Sequence, residues 1–230
     1  VQFGRGCMHQ CQFCTIEAVH KGDYRHRNIN NVVEEIKEIF KTNIRAKIIY
    51  FVDDNIFCNK KKSIELFNEL KKLNIKWACQ GSIDIAQDEE LIKLMSEAGC
   101  VEMLLGFENI NIQNIKRMNK KANYAFDYEK IVRIFRKNRI LVHASYVIGY
   151  DYDTKDCFQD ILDFSNRHKF FLAGFNPALP IPGTPFYDRL AEEGRLLYDK
   201  WWLDDDFVYG KATFKPHNMT IEEFEKGILE

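Results

Sequence analysis

Three cysteines crowd the start of the chain, Cys7, Cys11 and Cys14, in the spacing C-x3-C-x2-C. Thiolates this close in sequence can converge on a soft metal centre. Two kinds of centre fit. A structural zinc needs a fourth ligand, for which His9 or His20 stands nearby. Its usual paired C-x2-C units are missing. A 4Fe-4S cluster ordinarily takes four protein thiolates, so three leave one iron open. An open coordination position is what metal catalysis needs. A small molecule carrying both an amine and a carboxylate would chelate that iron.

The chain has seven cysteines, an odd number, with four outside the motif: Cys58, Cys79, Cys100 and Cys157. A secreted disulfide framework would be even and sit in a smaller, loop-rich chain. A reducing cytoplasm is therefore expected. Cys79 and Cys100 fall in apolar runs and read as small buried hydrophobes. Cys58 and Cys157 carry no functional signal.

The elements that position such a motif follow from periodicity. Strand-like apolar runs at 1–4, 47–52, 76–80, 101–106, 140–148 and 170–175 alternate with helical patterns at 31–41, 60–73, 88–98, 126–137 and 154–167. A Pro-rich loop leads to a further short helix at 184–193. Six such beats imply parallel strands joined by crossover helices. A complete eightfold barrel needs about 250 residues, so 230 suggest an incomplete one, with a doubly wound sheet as the other arrangement.

In parallel α/β folds, chemistry gathers at the carboxyl ends of the strands. There the sequence has the cysteine loop, then Asp53, Asp54 and Asn55, then Gln80, Gly81 and Ser82. Gly106, Phe107, Glu108 and Asn109 follow, then Gly149, Tyr150 and Asp151, and finally Asn176 before a Pro-rich stretch. Six scattered segments would share one face.

Composition excludes several classes. Of 230 residues, 34 are acidic and 33 basic, so the chain is no basic nucleic-acid binder or polybasic membrane binder. No apolar run approaches the roughly 18 residues of a transmembrane helix. The chain opens on Val1 and stops within a charged helical pattern at 220–230, which reads as part of a longer protein. Arg25 and Arg27 read as solvated, His143 as a hydrogen-bonded core histidine, and Lys60 to Lys62 as a surface helix start. The aromatics after Gly194 read as a tail packed on the body.

The motifs together resemble the radical S-adenosylmethionine (SAM) superfamily. Cys7-x3-Cys11-x2-Cys14 matches its cluster motif in spacing and place. FVDDN at 51–55, SIDIAQDEELIKLMSEAGC at 82–100, GFEN at 106–109, VIGYD at 147–151 and PIPGTPFYDRLAEEGRL at 180–196 follow in order. They are similar to the subgroup that carries a cobalamin-binding domain. The resemblance implies a partial (β/α)6 TIM-like barrel over 1–194 and an irregular C-terminal extension over 195–230. It implies a 4Fe-4S cluster on the three cysteines, which cleaves SAM reductively to a 5′-deoxyadenosyl radical that abstracts hydrogen. By the same resemblance Phe13 lies against adenine, and Asp53 and Asp54 stand where the methionine amino group is contacted. Glu108 would touch the ribose or methionine, Ser145 and Val147 would approach adenine, and Gln80 stands where related sequences carry Glu.

Cobalamin would belong to a domain preceding the cysteine motif in the full-length protein, and would imply methylation of an unactivated carbon. Cyclisation or rearrangement of a lipid or tetrapyrrole-like substrate is the alternative. An iron–sulfur electron-transfer protein is an alternative of another class, but leaves the acids on the same face unexplained. The implied partners are a small-molecule or lipid-like substrate and a flavodoxin- or ferredoxin-type reductant, with no nucleic acid.

Overall fold

The computed structural model describes residues 1–124 and 127–229. Phe126 and Glu230, which bound two of the expected helices, lie outside the described residues.

The chain first forms β1 (Gly4–Arg5), α1 (Thr15–His20) and β2 (Arg25–His26). It continues through α2 (Ile29–Thr42), β3 (Ile49–Tyr50), α3 (Lys60–Leu73), β4 (Trp77–Gly81) and α4 (Glu89–Glu97). Then come β5 (Cys100–Glu108), α5 (Ile112–Arg117), α6 (Tyr128–Lys137), β6 (Leu141–Ile148) and α7 (Cys157–His168). The chain closes with β7 (Leu172–Pro177), α8 (Pro185–Glu192) and α9 (Ile221–Leu229).

Strands β3 to β7 form one parallel sheet in sequence order. Sequential parallel pairing with same-handed crossovers places the helices on one face and curls the sheet. The result is a half-barrel, the expected partial barrel.

Local sequence sets the helices. Asn59 accepts from the Lys62 amide to start α3, and Asn74 closes that helix in the left-handed region at φ 51°. Asp88 caps α4 through Leu91 N, Asp127 caps α6 through Lys130 N, and Thr184 caps α8 through Tyr187 N. The apolar stripe of each packs on the sheet: Leu66, Phe67 and Leu70 from α3, and Ile131, Val132, Ile134 and Phe135 from α6. Trp77 is the centre of this layer. Its ring stacks on Phe67 at 5.0 Å, and its indole N–H donates to Ala98 O at 2.8 Å.

The first beat differs from expectation. β1 pairs antiparallel with β2, apart from the five-stranded sheet. Val1 alone begins a parallel alignment beside β3: its amine donates to Tyr50 O and its carbonyl accepts from Val52 N, both at 3.0 Å. Side chains then take over from main-chain pairing. The Asp53 carboxylate accepts the amides of Phe3 and Gly4, and Asp54 accepts the amide of Gly6 at 2.7 Å. Gly6 turns the chain at φ 93°, where a Cβ would collide with Asp23 O. Helices α1 and α5, each six residues long, escaped the sequence reading because they are too short for periodicity to show.

The C-terminal stretch is tied to the barrel. Phe214 and Phe224 are buried, and Phe214 packs with Tyr150, Phe186 and Leu190. Trp202 and Tyr209 remain exposed, so only part of the aromatic tail enters the core. The polar tie is Asp151, whose carboxylate meets Arg189 at 2.6 Å, Arg195 at 3.0 Å and Arg117 at 3.1 Å. Burial raises the Asp151 pKa, but the arginines outweigh it and hold the carboxyl below its ordinary value. Asp151→Ala would leave the two buried cations Arg189 and Arg195 to share the single carboxylate of Glu193, at 3.6 Å and 2.8 Å. A destabilisation toward the lower end of about 3–5 kcal/mol is expected in urea unfolding, with faster proteolysis after Arg195. Among the described residues no helix is long and apolar enough to cross a membrane.

Candidate functional site

A cavity of about 300 Å³ opens at the carboxyl ends of the parallel strands. The cysteine loop roofs it with Cys7, His9, Cys11, Phe13 and Cys14. The loop is held by main chain: Gln12 N donates to Met118 O at 2.9 Å, and Phe186 N donates to Gln12 O at 3.0 Å. The strand ends supply the floor: Asp54 and Asn55 after β3, Gln80 and Gly81 on β4 with Ser82 after it, Leu104, Gly106 and Glu108 from β5, and Ser145 from β6. Ile16 and Lys120 complete the wall.

Eight of the sequence-predicted residues therefore meet at one cavity: Cys7, Cys11, Phe13, Cys14, Asp54, Gln80, Glu108 and Ser145. Asp53 and Val147 are not among the lining residues. Asp53 is fully buried and faces the Phe3 and Gly4 amides. Burial pushes its carboxyl up to about 6, against the pull of those two amides. Val147 packs beside the Met118, Tyr150 and Phe186 cluster, and its carbonyl accepts from Asn109 Nδ2 at 3.4 Å.

Lys120 is the residue that sequence reasoning missed. Its ammonium lies 2.6 Å from Glu108 Oε1, and the two side chains are 12% and 8% exposed. Burial works against charge on Lys120, but the Glu108 carboxylate and the Cys11 and Cys14 thiols outweigh it and raise its pKa. Glu108 reaches this position through a bulge. The β5–β6 register shifts between Gly106 and Glu108, and Glu108 adopts φ 62°. Gly106 makes room, since a Cβ there would collide with the Glu108 carboxylate and stand 2.9 Å from Lys120 Nζ.

Other predicted residues have other partners. Asn109 and Asn114 both donate to the buried Asp153. Asn176 Nδ2 donates to Tyr146 O at 3.1 Å. His143 faces Glu102 at 3.6 Å on the concave side of the sheet, half-buried rather than in the core. Arg25 and Arg27 pair with Asp23 and Glu35 on the surface.

The donor set suits an iron–sulfur cluster. All three thiols are free and border one cavity. Among the described residues, no three His, Cys, Asp or Glu side chains gather tightly enough to hold a metal ion. A cluster is larger than one ion and takes its thiolates from around its edge, so three thiols spread about one cavity can hold it. The thiols differ in environment. A hydrogen bond from Cys58 is the main cause that draws Cys7 down to about 6. Burial pushes Cys11 up to about 12 and raises Cys14 too, although Lys120 acts the other way on both.

The chain has relatives among known proteins. The chain is 29% identical over 98% of its length to bacteriochlorophyllide d C-12(1)-methyltransferase of Chlorobaculum tepidum, of which it covers 49%. It is 29% identical over 86% of its length to hopanoid C-2 methylase of Rhodopseudomonas palustris, of which it covers 39%. The chain thus spans half or less of the length of these curated relatives. Among solved structures, the radical SAM methyltransferase TsrM of Kitasatospora setae superposes with a TM-score of 0.73 at 19% identity, over 84% of this chain and 36% of that one. Residues 1–165 match the radical SAM superfamily profile, and they include the cysteine loop and every strand end that lines the cavity. The chain belongs to the radical SAM superfamily.

Proposed function

We propose that this chain is the catalytic barrel of a radical SAM enzyme, with Cys7, Cys11 and Cys14 as cluster ligands. In the full-length protein it would act with cobalamin to methylate an unactivated carbon of a small-molecule or lipid-like substrate. One observation carries the reading: three free thiols and a buried Glu108–Lys120 pair border the same cavity at the strand ends. The relatives named as methylases of bacteriochlorophyllide and hopanoids support the methylation and the apolar substrate class.

When bound, the 4Fe-4S cluster supplies the electron for reductive cleavage of SAM, which yields methionine and a 5′-deoxyadenosyl radical. The remaining work is positioning. An amino acid moiety offers one cation and one anion, and the cavity presents the complement of each: carboxylates on Asp54 and Glu108 for the ammonium, and the ammonium of Lys120 for the carboxylate. Gln80 on β4 and Ser145 on β6 add neutral hydrogen-bonding groups on the two strands that flank β5. Phe13 presents a flat apolar wall for adenine, backed by the Met118, Tyr150 and Phe186 cluster. Ile16 and Leu104 keep part of the lining dry. A flavodoxin- or ferredoxin-type protein of the cytoplasm would be the reductant.

The test is anaerobic reconstitution with iron and sulfide, followed by electron paramagnetic resonance of the reduced protein. A 4Fe-4S signal that changes when SAM is added is expected. A cluster signal indifferent to SAM, or zinc bound with no cluster, would overturn the reading. Gly106→Ala provides a finer check. The groups that its Cβ would strike are the ends of long side chains, so overpacking should cost no more than about 1–3 kcal/mol. The displaced Glu108 and Lys120 should nevertheless weaken SAM binding several-fold in equilibrium dialysis.

A further inference from the structure

Cys7 differs from the other two thiols of the motif in the company its sulfur keeps. Asn55 Nδ2 points at Cys7 Sγ from 3.9 Å, within reach of a sulfur acceptor. Asn55 is buried and cannot turn freely: the same amide donates to Ser82 Oγ at 3.0 Å, and its Oδ1 accepts the Phe57 amide at 3.1 Å. On the other side stands Cys58, also buried, whose thiol is 3.8 Å from Gly6 O, the carbonyl just before Cys7. The Cys58 amide bonds Asn55 O at 3.3 Å, so one short turn after β3 carries both donors.

Resting on the reading above, we propose that Asn55 and Cys58 are positioning residues that donate hydrogen bonds to Cys7 Sγ and raise the reduction potential of the cluster held there. Reduction adds negative charge to the cluster and its sulfurs. Donors aimed at a ligand sulfur stabilise that charge, and the outer partners of metal ligands tune the centre in this way. The Cys58 thiol rests 3.8 Å from Gly6 O, the carbonyl next to Cys7, and its single proton would turn to the Cys7 sulfur once that sulfur carries the charge of a reduced cluster. Cys58 therefore gains a role that its position in the sequence did not suggest.

The experiment is a redox titration of the reconstituted protein followed by electron paramagnetic resonance, with iron content measured alongside. Asn55→Leu removes the amide at similar volume. Cys58→Ala removes the thiol, and Cys58→Ser restores a donor. The midpoint should move to more negative potential in Asn55→Leu and Cys58→Ala at unchanged iron content, and return toward wild type in Cys58→Ser. At the wild-type midpoint, the ratio of reduced to oxidised cluster should fall about tenfold in the Asn55→Leu/Cys58→Ala double variant. A wild-type protein that takes up no cluster would overturn both the functional reading and this inference. A cluster whose midpoint is the same in every variant would overturn the inference alone. Should Asn55→Leu fail to fold, as judged by circular dichroism, the contrast of Cys58→Ala with Cys58→Ser decides by itself.

Discussion

Cys11→Ser should give a folded protein that retains almost no iron after anaerobic reconstitution and forms no 5′-deoxyadenosine from SAM. The loss should exceed the roughly 10–100-fold that outer partners of a metal site cost, because a ligand itself is removed. The fold should survive because the cysteine loop does not depend on the thiol. Main-chain bonds to Met118 and Phe186 hold it, and Cys14 N donates to Cys11 O at 3.1 Å. Serine also nearly preserves the volume at this buried position. Circular dichroism and thermal melting would establish the fold, and iron and sulfide analysis the loss. Cys7→Ser and Cys14→Ser should behave alike, whereas Cys58→Ser should keep its cluster. Wild-type iron content in Cys11→Ser would dismiss the three-thiolate assignment.

Lys120→Met should damage both stability and SAM binding, and the two effects can be separated. Removing one member of a buried ion pair leaves the other as an uncompensated charge, at a cost of about 3–5 kcal/mol. At about 2–4 °C per kcal/mol for a chain of this size, the fall in Tm should be plain. The double variant Lys120→Met/Glu108→Gln removes the stranded charge and should recover most of that stability, since apolar or neutral replacement of a buried pair is often close to neutral. SAM affinity should not recover. Truncating one partner of a buried charged contact costs about 2 kcal/mol or more, a fall of roughly thirtyfold. Equilibrium dialysis with the cluster-loaded protein reads this directly. Double-variant affinity equal to wild type would remove Lys120 and Glu108 from the binding site.

The two predictions differ in how they became visible. The cysteines announce themselves by type and spacing, since thiolates this close in sequence can converge on one soft metal centre. Lys120 sits in the run KRMNKK, where Lys116 and Lys121 are of the same type. Helix α5, too short to leave a periodic trace, carries the chain back over the cavity and selects Lys120 among them. The adjacent pair Asp53 and Asp54 shows the same limit. Both stand where the resemblance places the methionine amino group, with only one needed to contact it, and Asp54 alone lines the cavity, because successive residues at a strand end point to opposite sides.

The alternation of apolar runs determined the parallel strands, the crossover helices and the face where polar residues gather, because burial and hydrogen-bond geometry repeat with fixed periods along the chain. The caps Asn59, Asp88, Asp127 and Thr184 determined where helices begin by bonding amides three residues ahead. These are local effects, and a sequence carries them in order. Tertiary structure alone decided that the first beat leaves the parallel sheet, that Glu108 enters the cavity through a bulge to meet Lys120, and that Asn55 closes on Cys7 while Cys58 closes on Gly6. Each of these depends on groups between 12 and about 50 residues apart. Their meeting is fixed by how the sheet curls, and a periodic pattern has no record of that.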